Sequence, residues 1–326
     1  MQRLLEIAAL NVRFATPEGE VAAVRDVDFG VGAGECVGLV GESGSGKSQI
    51  FLAALGLLAR NGRVSGTARF GDLDLLTCDR AALDRIRGAR VGMIFQDSMT
   101  SLAPHLKIGE QLAEVLEVHG GLGSRVARSR ALAILERVHI GDGATRLAQY
   151  PHELSGGMRQ RVMIASALLC DPELVIADEP TTALDVTIQA QILELFRELR
   201  RESRLSLVVI THDIAVVAGL CDRVAVMYAG RIVEEAPVGA LLRTPRHPYT
   251  HGLLAAVPRL DDSTDTPMQA VPGQPPNPAA WEAGCSFAER CTRASEHCRR
   301  ERPELTADGS GTRTVACHHP LGETRA

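Results

Sequence analysis

The chain has 326 residues, 45% of them hydrophobic, 23% charged and 3% aromatic. That is the balance of a globular protein with room for a full core and a smaller appended unit, and it excludes disordered and fibrous classes. A formal net charge of -5 gives no basic footprint, so no nucleic-acid partner is expected.

The opening MQRLLEIAALNVRF has no basic segment followed by a long apolar run and a small-residue cleavage site, which predicts a chain that stays in the cytosol. The longest apolar stretches, at 50–59 and 164–170, fall short of the roughly 20 residues a spanning helix needs. Any membrane role must come through partners. In a reducing compartment the eight cysteines are not expected to form structural disulfides.

From the start to about Pro245, β-rich apolar runs alternate with amphipathic helices, the pattern of an α/β domain with a substantially parallel sheet. Strands are expected at 35–40, 90–95, 174–177, 207–210 and 224–227, four of them ending at chemically loaded turns. Ligands of open α/β sheets sit at the carboxyl ends of strands, so this pattern points to one nucleotide site. Between Asp97 and Glu153 helical spacing takes over, as in Ile108, Leu112, Val115, Leu116 and then Ala131, Ile134, Leu135, Val138. A helical subdomain at about 97–153, inserted into a sheet domain spanning 1–245, is the expected organisation. Residues 246–326 read as an extension: a proline-crowded linker with the acidic run Asp261-Asp262, then a short unit holding half of the cysteines.

The first expected strand that ends in chemistry runs into a complete G-x-x-x-x-G-K-S at 41–48. Gly41, Ser43, Gly44 and Gly46 let backbone N–H groups curl around phosphate oxygens. Lys47 reaches the β- and γ-phosphates of a nucleotide, and the Ser48 hydroxyl ligates Mg²⁺. The helix that follows adds its positive N-terminal end. Further on, the apolar run 174–177 delivers Asp178 and Glu179. On a strand the two carboxylates would point to opposite sides, leaving Asp178 to hold Mg²⁺ through water and Glu179 to act as general base on the attacking water. Between these motifs, Ser155-Gly156-Gly157 opens a long helix with Ser155 as N-cap, a second anion-binding helix start.

This ordered set, with Leu154-Ser155-Gly156-Gly157-Met158-Arg159-Gln160-Arg161 after a helical insert and ahead of Asp178, resembles the ABC ATPases over nearly the whole chain. The resemblance implies a P-loop ATPase fold that sandwiches two ATPs in a head-to-tail dimer, with Ser155, Gly156 and Gly157 acting on the nucleotide of the opposite subunit. It also assigns the remaining positions. Gln96 would sense Mg²⁺ and water, and Asp185 of Ala183-Leu184-Asp185 would communicate across the dimer, against the plainer task of a helix-start carboxylate. His212 would contact the γ-phosphate and Phe14 would stack on adenine, with a core residue as the alternative for Phe14. The fifth signature residue is Met158 where the family most often has Gln, a variant that looks like the peptide-importer branch.

Cys285, Cys291, Cys298 and Cys317 form C-x5-C-x6-C-x18-C in a tail with little apolar content. Such a segment has few means of ordering itself besides a metal, and four thiolates suit zinc or an iron–sulfur cluster. The absence of C-x2-C pairs tilts the reading toward the cluster. Together with His247-Pro248-Tyr249-Thr250 and Pro272-Gly273-Gln274-Pro275-Pro276, these residues resemble the C-terminal extension of oligopeptide and dipeptide importer ATPases. That resemblance implies a [4Fe-4S] cluster. It also implies a second ATPase subunit as homo- or heterodimer partner, two integral-membrane permease subunits, an extracytoplasmic substrate-binding protein, and a peripheral place on the cytoplasmic face of the inner membrane. The expected function is ATP-driven peptide import. Nickel or another small solute is the runner-up, and a soluble ABC ATPase outside transport or an iron–sulfur redox sensor stand further off.

Overall fold

The computed structural model describes residues 3–96, 101–182, 184–257, 271–277, 279, 283–309 and 311–322. Asp97, Ala183 and the acidic run Asp261-Asp262 lie outside the described residues. In chain order the strands are β1 (Arg3–Thr16), β2 (Gly19–Gly32), β3 (Cys36–Val40), β4 (Gly62–Phe70), β5 (Leu73–Asp74) and β6 (Val91–Ile94), then β7 (Leu174–Asp178), β8 (Ser206–Thr211), β9 (Arg223–Tyr228), β10 (Arg231–Pro237), β11 (Thr306–Ala307) and β12 (Thr314–Val315). The described chain forms two compact units.

The first unit comprises Gly32–Glu35 and Thr77–Ile210. Here β6, β7 and β8 pair in parallel, Val91 opposite Leu174 and Ala177 opposite Val209. Every residue of β7 and β8 is buried, which is why both read as unbroken apolar runs rather than alternating ones. The expected helical spacing is realised in helices Ile108–Gly120 and Ser124–Arg137, which bury Ile108, Leu112 and Leu116 and then Ala131, Ile134 and Leu135. Each such leucine contributes about 1.5–3 kcal/mol when fully buried. The first of these helices starts where the Lys107 backbone N–H donates to the Glu110 carboxylate at 3.0 Å, and it stops at Gly121 in left-handed conformation. Buried Arg161 ties helix Gly156–Leu168 to its surroundings, donating to the Val138 carbonyl at 2.8 Å and to Gln191 Oε1 at 3.0 Å.

The second unit comprises Arg3–Val31, Cys36–Leu76 and Thr211–Ala326. Its strand β3 pairs in parallel with β9, which pairs antiparallel with β10. A further sheet, ordered β2-β1-β4-β5, is antiparallel where β1 meets β4 and β4 meets β5. A mainly parallel sheet is therefore only part of the architecture. The antiparallel part escapes a period-2 reading for a local reason. Leu5 and Ile7 are buried, the register shifts between Ala8 and Asn11, and burial then resumes at Leu10 and Val12, out of phase with the first pair. One extra residue, with Ala9 at φ 49°, breaks the alternation.

The tail also departs from expectation. It adds β12 and β11 to the edge of β10, Val315 opposite Glu234 and Thr306 opposite Val315. Phe287, 4% exposed, meets the rings of Tyr228, Tyr249 and His247 at centroid distances of 5.3, 5.5 and 5.8 Å. Strand addition and an aromatic anchor thus order a segment whose sequence suggested little besides a metal. Among the described residues no helix is long and apolar enough to cross a membrane.

Candidate functional site

Strand β3 delivers residues 41–48 to the start of helix Lys47–Ala54. The loop closes on itself: the Ser45 N–H donates to the Glu42 carbonyl at 3.2 Å, and the Gly230 N–H donates to the Ser45 carbonyl at 3.0 Å. At Gly46, φ is 98° and a Cβ would lie 2.1 Å from the Ala23 carbonyl oxygen, so only glycine fits. Lys47 is 6% exposed and its Nζ donates to the carbonyls of Gly41 at 2.7 Å and Glu42 at 2.9 Å. A buried ammonium held by carbonyls at a helix start, beside exposed Ser43 and Gly44 and half-buried Ser48, is chemically suited to phosphate. Phe14 lies in β1 opposite Gly62 of β4, its ring edge filling the space a side chain on Gly62 would take. His212 is exposed directly after β8, and Asp213 beside it caps helix Ile214–Ala218.

The first unit carries the other expected residues. Asp178 ends β7 opposite Ile210 and is 5% exposed. Glu179, 8% exposed, has already left the strand, with φ at 50° and its N–H donating to the Ile210 carbonyl at 2.8 Å. The two carboxylates are separated by this left-handed turn rather than by strand alternation as expected, and such a conformation costs a non-glycine residue about 1–3 kcal/mol. The Thr182 hydroxyl donates to Glu179 Oε2 at 2.7 Å. Gln96 is exposed just past the end of β6. Ser155 caps helix Gly156–Leu168, its Oγ accepting the Met158 N–H at 3.3 Å. Gly157 packs so closely on Ile188 that a Cβ would come within 2.9 Å of Cγ2. Asp185 caps helix Val186–Ser203 by accepting the Ile188 N–H at 2.9 Å, the plainer of its two expected tasks.

In the tail, Cys285, Cys291, Cys298 and Cys317 line one small pocket together with His247 and Phe287. The Cys285 N–H donates to the Cys298 carbonyl at 2.7 Å. Burial, with the neighbouring thiols adding to it, pushes the Cys317 thiol up to about 11 and also raises Cys285. Among the described residues no three His, Cys, Asp or Glu side chains stand together as a metal site. The expected [4Fe-4S] or zinc centre is therefore not supported; what the structure shows is four cysteines in the lining of one pocket.

Sequence reasoning missed a second connection altogether. Arg290 grips Glu42 of the phosphate loop with two bonds, Nη1 to Oε2 at 2.9 Å and Nη2 to Oε1 at 3.0 Å, across 248 positions of sequence. Tyr249 Oη accepts the Glu42 N–H at 2.9 Å, and burial, with the Glu42 charge adding to it, raises the pKa of this phenol. No local pattern in the chain announces either contact.

Among solved structures the chain resembles a dimeric ATP-binding cassette in a post-hydrolysis state bound to ADP and Pi, at TM-score 0.64 and 28% identity, covering 72% of this chain and 98% of that one. Residues 24–182 match the family described as ABC transporter, and residues 233–298 match the family described as oligopeptide/dipeptide transporter, C-terminal region. The chain is 51% identical over 320 residues to the oligopeptide transport ATP-binding protein OppD of Salmonella typhimurium, covering 98% of this chain and 95% of that protein. To OppD of Haemophilus influenzae it is 50% identical over 311 residues, covering 95% and 96%. At that identity over nearly its whole length, the chain belongs to the ATP-hydrolysing subunits of ABC transporters, in the oligopeptide and dipeptide importer branch.

Proposed function

We propose that this ATPase powers the uptake of peptides through two separate integral-membrane permease subunits. It works as one of two ATP-binding subunits, identical or different, on the cytoplasmic face of the inner membrane, with an extracytoplasmic substrate-binding protein delivering the cargo. The observation that carries this reading is the match of residues 233–298 to the C-terminal region of oligopeptide and dipeptide transporters, beyond the part shared with ABC ATPases at large.

Within this reading residues 1–245 form the ATPase domain, with a helical subdomain at about 97–153, and 246–326 form the extension. Lys47 and the loop N–H groups take the phosphates of ATP, Phe14 stacks on adenine and His212 contacts the γ-phosphate. Ser48, Asp178 and Gln96 would hold Mg²⁺, which neutralises phosphate charge. Glu179 accepts the proton of the attacking water, poised by its bond from Thr182. Exposed Ser155 and Gly156, with Gly157, receive the nucleotide of the partner subunit, while Asp185 connects the two halves of the dimer. Cys285, Cys291, Cys298 and Cys317 would hold a [4Fe-4S] cluster, with zinc as the alternative. What supports it is that all four cysteines belong to the lining of one pocket.

Purification from detergent-solubilised membranes without oxygen tests both parts. Integral-membrane subunits should accompany the chain, and about four irons per chain should be bound. Recovery with soluble partners alone would remove the transport reading, one zinc would replace the cluster, and a metal-free chain would leave the four thiols without that role.

A further inference from the structure

We propose that Arg290, in the C-terminal tail, is a positioning residue for ATP binding: it holds and neutralises Glu42 so that the phosphate loop keeps its receptive shape. The inference rests on residues 41–48 being the nucleotide-binding loop.

Glu42 stands inside that loop, and its carbonyl accepts a bond from the Lys47 ammonium. A carboxylate there is a liability, because an unbalanced negative charge opposes a polyphosphate bound to the same turn. Among the described residues the structure answers that charge with Arg290. Arg290 meets both carboxylate oxygens in a fork that matches the planar guanidinium, its side chain only 6% exposed against 24% for Glu42.

Arg290 is itself fixed from the tail side. Its Nε donates to the Pro272 carbonyl at 2.7 Å and its Nη2 to the Val271 carbonyl at 3.2 Å, while Nη1 also reaches the Tyr228 hydroxyl at 3.2 Å. The guanidinium lies 5.6 Å from the Tyr228 ring centre. Glu42 is pinned at both ends, its carboxylate by Arg290 and its N–H by Tyr249. Neither partner belongs to the loop or to its flanking strand and helix. The loop is thus braced by residues at the far end of the chain, and ATP affinity should depend on them.

The test uses the full-length chain, a fluorescent ATP analogue and steady-state hydrolysis. Arg290→Ala should raise the Kd and KM for ATP about tenfold, more than it changes kcat. Arg290→Lys, which keeps the charge and loses the fork, should raise them about threefold. Adding Glu42→Gln to Arg290→Ala should recover most of the affinity, because the carboxylate that needed neutralising is gone; a purely structural contribution of Arg290 would not be rescued in this way. Should Arg290→Ala fail to fold, Arg290→Lys carries the same comparison. Lys47→Ala separates the two readings. If it loses ATP while both Arg290 variants bind normally, or if Glu42→Gln restores nothing, the bracing role is overturned and the loop assignment stands. If Lys47→Ala itself binds ATP normally, the loop assignment falls and this inference with it.

Discussion

The phosphate loop and the C-terminal tail reach order by opposite routes. In the loop the decisive contacts are local: Lys47 folds back on carbonyls five and six residues earlier, and Gly46 supplies a backbone angle that its own position demands. In the tail they are distant. Arg290 bonds to Glu42, Arg313 reaches fully buried Glu234 at 3.1 Å, and Val315 pairs with β10. Chemistry written in neighbouring residues can be read from a string of letters. Support assembled from distant residues appears only when the chain is folded, even where it serves the same loop.

The largest expected effect attacks the locally encoded chemistry. Glu179→Gln should lower hydrolysis by about 100-fold or more, since the amide cannot accept the water's proton, while ATP still binds. A single-turnover assay beside an equilibrium ATP titration reads both quantities. Turnover within threefold of the original would mean that another group takes the proton.

On the long-range side, Phe287→Ala removes the ring that Tyr228, Tyr249 and His247 share. Truncating so buried an aromatic should cost about 3–5 kcal/mol, read as a lower denaturant midpoint. It should also weaken ATP binding, because Arg290 stands in the same tail. Loss of stability with wholly unchanged ATP affinity would show that the loop does not feel how the tail docks.

That contrast also explains what was legible. The five expected strands and the helices Ile108–Gly120 and Ser124–Arg137 were visible because their apolar patterns are continuous. The candidate site residues stood out because phosphate chemistry needs certain residue types at fixed spacing. Strand β1 concealed itself through the register shift at Ala9, and Asp185 carried two compatible tasks that spacing alone could not separate. The turn at Glu179 was hidden too, since nothing in Asp178-Glu179-Pro180 reports a left-handed backbone angle on a glutamate. The tail was legible only in part. Its polar composition drew attention to four cysteines and away from Phe287 and Arg290, whose partners are contributed by β9, by helix Pro248–Ala255 and by the loop itself.

The smallest expected effect returns to the local side. Thr182 lies three residues after Glu179, and its hydroxyl donates to the carboxylate at 2.7 Å. Glu179 has an unusual backbone angle, and its proposed role requires one oxygen to face water, so a hydrogen bond to the carboxylate narrows the orientations it samples. Thr182→Val keeps the branched shape and deletes only that donor. A bond of this kind contributes about 1 kcal/mol, which corresponds to a loss of about fivefold in kcat if it is felt mainly in the transition state. ATP affinity should stay the same, because the proposed phosphate contacts lie on residues 41–48. Equal losses in kcat and in affinity would place Thr182 in nucleotide binding instead, and an unchanged kcat would show that Glu179 is aimed without the Thr182 bond.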